Sequence, residues 1–250
     1  MDLRSLASAR AGMLVRMFGS RTTVALLGVT ALGCASEARS CDLDTDAIVM
    51  WATVSDLGEQ VEVEIEFEAA GAEGAALALC PDRDRLEVNG VEASLVRALG
   101  HVYYTVEFDG DSVGAYEITL SRDDAKSVSV TVELPPSFEI LSPVADSTHS
   151  RGASLDISWD PAWPDGMMEL AVEDEVGSEC IEALGIAYEV EDTGSYTVAP
   201  FMLTSGGDGG TCDVTLALTR SVIVEYPSEL HEGGEVAGFV RRRQPFTSTE

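Results

Sequence analysis

Residues 60–68 read QVEVEIEFE, so that Val61, Val63, Ile65 and Phe67 alternate with Gln60 and four glutamates. A period of two puts one set of side chains on each face of a strand, whereas a helix would scatter both sets around its circumference. The segment therefore demands a sheet with one buried and one wet face. The same alternation recurs. His101 to Phe108 turns Val102, Tyr104, Val106 and Phe108 to one side, Gly114 to Arg122 does so with Tyr116, Ile118 and Leu120, and Ser127 to Leu134 with Val128, Val130, Val132 and Leu134. Leu86 to Glu92 predicts a hairpin about Asn89-Gly90, a pair that tolerates positive φ at both central positions. With Ala47 to Val54 and Ala75 to Leu79, about eight strands fall within ninety residues, which one antiparallel sandwich accommodates.

Pro135-Pro136 then interrupts the ladder, since proline donates no hydrogen bond and two in succession make a stiff extended connector. Further strands are expected at Phe138–Leu141, Ser154–Trp159, Met167–Val172, Ile186–Val190, Gly194–Val198, Cys212–Leu218 and Glu235–Phe246. The expectation is an all-β chain of two tandem antiparallel sandwiches, 46–135 and 136–250. The competing arrangement is one continuous sandwich with strands exchanged across the prolines. The stretch from Phe138 through Ser154-Leu155-Asp156-Ile157-Ser158-Trp159-Asp160-Pro161 resembles the opening of fibronectin-III-like and other immunoglobulin-like domains, in which a strand ends in a core tryptophan followed by proline. Asp192-Thr193-Gly194-Ser195-Tyr196 resembles the D-x-G-x-Y corner of the same superfamily, with a looser version at Asp111, Gly114 and Tyr116. The resemblance implies immunoglobulin-like sandwiches; the antibody-type Cys–Trp–Cys arrangement is absent.

Forty-four acids face fifteen bases, a formal net charge of −29. Such a field repels phosphate backbones and removes the term that dominates nucleic-acid affinity. Attachment to anionic lipid through a basic patch is disfavoured likewise. Divalent cations such as Ca2+ remain as weak ligands.

The N-terminal segment breaks this pattern. Residues 1–33 hold Arg4, Arg10, Arg16 and Arg21 against the single acid Asp2, and Thr22 to Leu32 is an apolar run of eleven residues. That is the length of a signal h-region and well short of the ~20 residues that span a bilayer. It closes on Ala31-Leu32-Gly33-Cys34, which resembles the lipobox of bacterial lipoproteins, although leucine is commonest where Ala31 stands. The resemblance implies a signal peptide over 1–33, cleavage, acylation (palmitate or a similar chain) on Cys34, and a linker over 34–45 leading into the body. The location expected is the cell envelope, at the outer membrane or the periplasmic face. The alternative is plain secretion after cleavage at Ala35 or Ala38, and Met17 offers a second start.

Without Cys34 an even number of cysteines remains: Cys41, Cys80, Cys180 and Cys212. None forms a C-x-x-C pair, and in an oxidising compartment four dispersed cysteines read as two disulfides. Three connectivities are open, of which Cys41–Cys80 with Cys180–Cys212 keeps each bridge inside one expected sandwich.

No nucleophile elbow, P-loop or H-E-x-x-H occurs, and no catalytic residue, metal ligand set or cofactor is assigned. His231-Glu232-Gly233-Gly234-Glu235 lacks a second histidine and carries two helix-breaking glycines, so a loop is expected there. His101 and His149 have no nucleophile in pattern with them. Asp42, Asp44 and Asp46 could offer oxygens to calcium, but Ala47 and Thr53 replace the glycine and glutamate of an EF-hand; Asp109 and Asp111 form a smaller cluster. Solvated loops are the plainer reading of both. Arg241-Arg242-Arg243 reads as local neutralisation or as a partner contact, with Arg242 opposite its neighbours in a strand. Trp51 and Trp159 are expected in the core, and Trp163, between Pro161 and Pro164, exposed. The function that follows is a non-enzymatic envelope lipoprotein presenting sandwiches for binding or spacing, with an envelope protein or glycan as partner. The alternative is an exported hydrolase or its carbohydrate-binding accessory protein.

Overall fold

The strands are β1 (Ala38–Arg39), β2 (Ile48–Asp56), β3 (Gln60–Ala69), β4 (Leu77–Ala78), β5 (Asp84–Val88), β6 (Val91–Glu92), β7 (Ser94–Ala98), β8 (His101–Asp109) and β9 (Ala115–Arg122). They continue with β10 (Val128–Glu133), β11 (Glu139–Ser142), β12 (Thr148–Ser150), β13 (Leu155–Asp160), β14 (Met167–Asp174), β15 (Ile186–Glu191), β16 (Ser195–Val198), β17 (Cys212–Ile223) and β18 (Glu235–Thr249). This computed structural model describes residues 38–71, 75–98, 101–110, 112–123, 125–174, 186–203 and 210–250. The chain divides into the units Met1–Ala35 and Ser36–Glu250; the signal segment and Cys34 lie outside the described residues. Among those residues no helix is long and apolar enough to cross a membrane.

The fold is all-β. The alternation in β3 works as the sequence predicts: Val61, Val63 and Ile65 are fully enclosed and Phe67 nearly so, each contributing about 1.5–3 kcal/mol by leaving water. One large sheet runs in the order β15-β14-β17-β18-β2-β3-β8-β7, and β12 also pairs with β18. A four-stranded sheet, β10-β9-β5-β6, covers its β2/β3/β8 part, and a three-stranded sheet, β11-β13-β16, covers its β14/β17/β18 part. Two apolar cores result. One gathers Ile48, Val63, Phe67, Tyr104, Ile118 and Val132; the other gathers Phe138, Ile157, Trp159, Leu170, Leu218 and Phe246. Leu134, beside the proline pair, packs against both.

The boundary expected at Pro135-Pro136 needs correction, because the last strand belongs to both halves. Along one edge β18 pairs with β17 from Ala237↔Ile223 to Ser248↔Cys212. Along the other, Glu235–Val240 run parallel to Trp51–Asp56, and Thr247–Thr249 run parallel to Thr148–Ser150. The β17–β18 hairpin thus outruns its own sandwich and adds to the other one. Its connection docks there: Leu230 and Val236 are buried in the first core, with Val224 and Tyr226 against it. The Met50 amide donates to the Tyr226 hydroxyl at 2.8 Å, and the His231 amide to the Ile48 carbonyl at 2.9 Å. Of the linker expected over 34–45, the described residues 38–45 are held against the body. Ala38–Arg39 pair in parallel with Leu77–Ala78. Buried Arg122 donates to the carbonyls of Ser40 (2.6 Å) and Leu43 (3.0 Å) and to the Thr45 hydroxyl (3.0 Å), while it pairs with Asp84 at 3.2 Å. The guanidinium needs acceptors once it is buried, and this segment supplies them.

The Cys41–Cys80 disulfide fastens the same segment, with 5.8 Å between Cα atoms and a sequence separation of 39. Closing a loop of that length stabilises by about 4 kcal/mol in the chain-entropy model. Cys212 is also in a disulfide; Cys180 lies outside the described residues.

Candidate functional site

The outer face of the large sheet brings chemistry-bearing side chains from distant strands into common rows. Its composition follows from register. The residue outward on β2 at one level pairs with outward residues on β18 and β3, and so across the sheet. One row reads Glu235, Trp51, Glu66, Tyr103, Val96. The next reads Ala237, Thr53, Glu64, Thr105, Ser94, and a third Phe239, Ser55, Glu62, Glu107. Adjacent strands are ~4.8 Å apart, so Trp51 and Tyr103 stand about 10 Å apart with Glu66 between them. Trp51, Tyr103 and Phe239 are all half-buried, which leaves part of each ring to solvent. Trp51 is therefore not the core residue expected: it shares the phase of Thr53 and Ser55, opposite to enclosed Met50, Ala52 and Val54.

Charge is concentrated on this face. The Glu64 carboxyl is pushed above its ordinary value of 4.5, first by loss of solvent to the surrounding face and then by the charges of Glu66 and Glu62. On the β14 side, burial pushes Glu169 up; Arg241 opposes the shift, and Glu173 and Glu189 reinforce it. The arginine triplet is divided as strand geometry requires. Arg241 and Arg243 both reach Glu173 at 2.6 Å on the outer face, while Arg242 turns inward to Asp56 at 2.9 Å and to the Ser137 hydroxyl at 2.7 Å. The triplet neutralises neighbouring acids.

The remaining candidates do not converge. Among the described residues no group of three or more His, Cys, Asp or Glu side chains is placed to hold a metal ion. Asp42 and Asp44 instead border a cavity of about 210 Å3 that also carries Arg83 and Arg122, cations that oppose calcium. Asp109 ends β8, and Asp111 lies outside the described residues. His101 opens β8, His149 lies in β12, and His231 sits in a turn with Nδ1 2.7 Å from the Glu232 carbonyl oxygen. Trp163, expected exposed, is half-buried over Gly166, where an added Cβ would come within 2.2 Å of its ring.

The signature residues have a structural use. Trp159 is enclosed, and its indole N–H donates to Asp192 Oδ1 at 2.6 Å. Asp192 also pairs with Arg220 at 2.6 Å, both side chains being fully buried. That charged pair is the feature the sequence reading missed, since nothing local links residues 28 apart. In the first half Gly114 has φ +82°, and the Tyr116 hydroxyl accepts from the Val113 amide at 3.4 Å.

No family model and no curated protein matches the chain. Among solved structures, it is similar to the IG1+IG2 pair of DIP-gamma at 9% identity and TM-score 0.23, over 84% of this chain and 99% of that one. It is similar to the fibronectin(III)-like modules of Clostridium thermocellum CbhA at 11% identity and TM-score 0.24, over 81% and 93%. With the Yersinia pseudotuberculosis adhesin InvE the figures are 13%, 0.26, and 82% and 59%. Superpositions this loose carry no argument about ligand or activity.

Proposed function

We propose that this chain is a non-enzymatic lipoprotein of the bacterial cell envelope, anchored through Cys34, whose sandwiches present a surface to a protein or glycan partner. The anchor is supported by the arginines and apolar run ahead of Gly33-Cys34. The binding role is supported by one observation above the rest: a continuous outer sheet face on which partly buried rings alternate with carboxylates and hydroxyls. Such a face offers stacking surface and acceptors over a wide area, as recognition of a flat or extended partner requires. Fractionation tests the anchor: Cys34→Ala should release the protein from membranes or leave it unprocessed. An unchanged N-terminal mass and an unchanged membrane fraction would refute the anchor.

The rows through Trp51 and Tyr103 also favour a second reading, a carbohydrate-binding accessory of an exported hydrolase. Two rings on one flat row, with Glu66 and Thr53 as acceptors, suit a neutral sugar chain. Titration with soluble β-glucan and chitin oligosaccharides should quench tryptophan emission in this case, and Trp51→Ala should abolish the change. Emission that stays constant at millimolar oligosaccharide would dismiss the second reading and leave the first standing.

A further inference from the structure

We infer that the body from Ala38 to Glu250 is a rigid strut that stands on its N-terminal end and carries the turn at 199–203 at the far end, about 55 Å out; the inference rests on the Cys34 anchor. Three sets of contacts lead there. The chain enters the fold beside the Ile48 end of β2. Ala38–Arg39 are paired, Cys41 is bridged to Cys80, and Arg122 holds the carbonyls of Ser40 and Leu43. Cys34 precedes Ala38 by four residues, which reach about 14 Å at full extension. A lipid on Cys34 therefore keeps this end at the headgroups.

The opposite end is set by the shared strand. β2 leaves the entry end at Ile48, and β18 runs parallel to it from the level of Trp51 through Asp56 and on to Thr249. Some seventeen residue steps of ~3.3 Å separate the level of Ile48 from that of Thr249, hence the ~55 Å. There the Arg151 amide donates to the Thr249 carbonyl at 2.7 Å and the Phe201 amide to the Arg151 carbonyl at 2.8 Å. The Phe201 ring, 70% exposed, stands at that tip.

The joint between the halves is tied on several sides, which makes the body a strut and not a hinged pair. Continuous ladder crosses it in β17 and β18. The connector is held as well: Leu134 N donates to Gly114 O at 2.8 Å, Arg220 to Pro136 O at 2.7 Å and Arg242 to the Ser137 hydroxyl at 2.7 Å. Charge opposes the pose flat on the outer sheet face. Lying flat on its outer sheet face would bring Glu62, Glu64, Glu66, Glu169 and Glu173 within a Debye length, ~8 Å, of an anionic leaflet. Standing leaves that face in solution.

Energy transfer to a headgroup acceptor dye tests the pose. In the full mature chain, Asp82 (two residues after the bridged Cys80) and Phe201 are replaced in turn by a fluorescent non-natural residue, and the protein is placed in vesicles of phosphatidylethanolamine and phosphatidylglycerol. Transfer from position 82 should exceed that from position 201 several-fold. Equal transfer from both, or stronger transfer from 201, would overturn the strut. A parallel sample joined chemically to a maleimide lipid through the Cys34 thiol separates the two ideas. If only the coupled protein reaches the vesicles and still shows the gradient, the anchoring proposal fails and the strut geometry holds; a coupled protein with no gradient overturns the strut.

Discussion

Arg220 is fully enclosed, yet none of its nitrogens is idle. Nε and Nη2 bond Asp192, Nη1 bonds the Pro136 carbonyl, and the guanidinium carbon lies 4.6 Å above the centre of the Phe138 ring. Two buried ions are tolerable in that arrangement because each is charge-paired and hydrogen-bonded. Asp192→Ala leaves the guanidinium enclosed with its countercharge gone and should cost about 3–5 kcal/mol, read from the urea midpoint. The double change Asp192→Leu with Arg220→Met should cost less than Asp192→Ala alone, because no uncompensated charge remains. Glu64 gives a prediction of opposite sign. Its folded value lies above 4.5, so the folded state penalises the ionised form. That penalty is complete above the raised value and disappears as pH falls below the unfolded one. Glu64→Gln should thus raise the thermal midpoint at pH 7, and its difference from wild type should vanish near pH 4.

The β17–β18 connection is where one added carbon would be felt most. A Cβ on Gly234 would fall 2.0 Å from the Met50 carbonyl oxygen and 2.7 Å from the Tyr226 hydroxyl. Gly234→Ala should push the connection off β2, weaken the Tyr226–Met50 bond and destabilise by about 1–3 kcal/mol in urea titration. Elements decided by local rules were legible beforehand. β3 follows its alternation, and Asn89 and Gly90 take φ of +48° and +78° in the expected hairpin. Elements decided by distant partners were not. β17 continues to Ile223, past the expected end at Leu218, and its inward Arg220 is tolerated through distant partners, Asp192 foremost, that no local pattern shows. β7 escaped notice because most of its residues are exposed at the sheet edge and leave no alternation to read. Trp51 was misjudged because Val49, Trp51 and their inward neighbours are all apolar, which hides the phase of the strand.

At the scale of the whole molecule, pattern says which face of a strand is buried but not which strand lies beside it, and the parallel pairing of β18 with β2 was illegible for that reason. The outer-face rows escaped for the same cause, since each is assembled from strands distant in sequence. The shared strand has a thermodynamic consequence. β18 contributes Val236 to the first core and Val240 and Phe246 to the second, while its connection adds Leu230 to the first. Losing it uncovers both cores and leaves β2 and β17 as open edges. Domains joined by a loose linker would unfold in separate steps, and a body of this length commonly departs from two-state behaviour in any case. A single transition here is therefore a demanding outcome. It is expected nonetheless: with Trp51 and Trp163 replaced by phenylalanine, fluorescence of Trp159 in the second core and near-ultraviolet ellipticity of the first-core tyrosines should fall together in urea. Deleting residues 235–250 should abolish both signals, and a fragment from Pro136 to Glu250 should be soluble only with its Leu230 and Val236 surface masked, since the sheet that covers it is gone. Two resolved transitions, or a first-core signal that survives the deletion, would show that the halves hold themselves up without the strand they share.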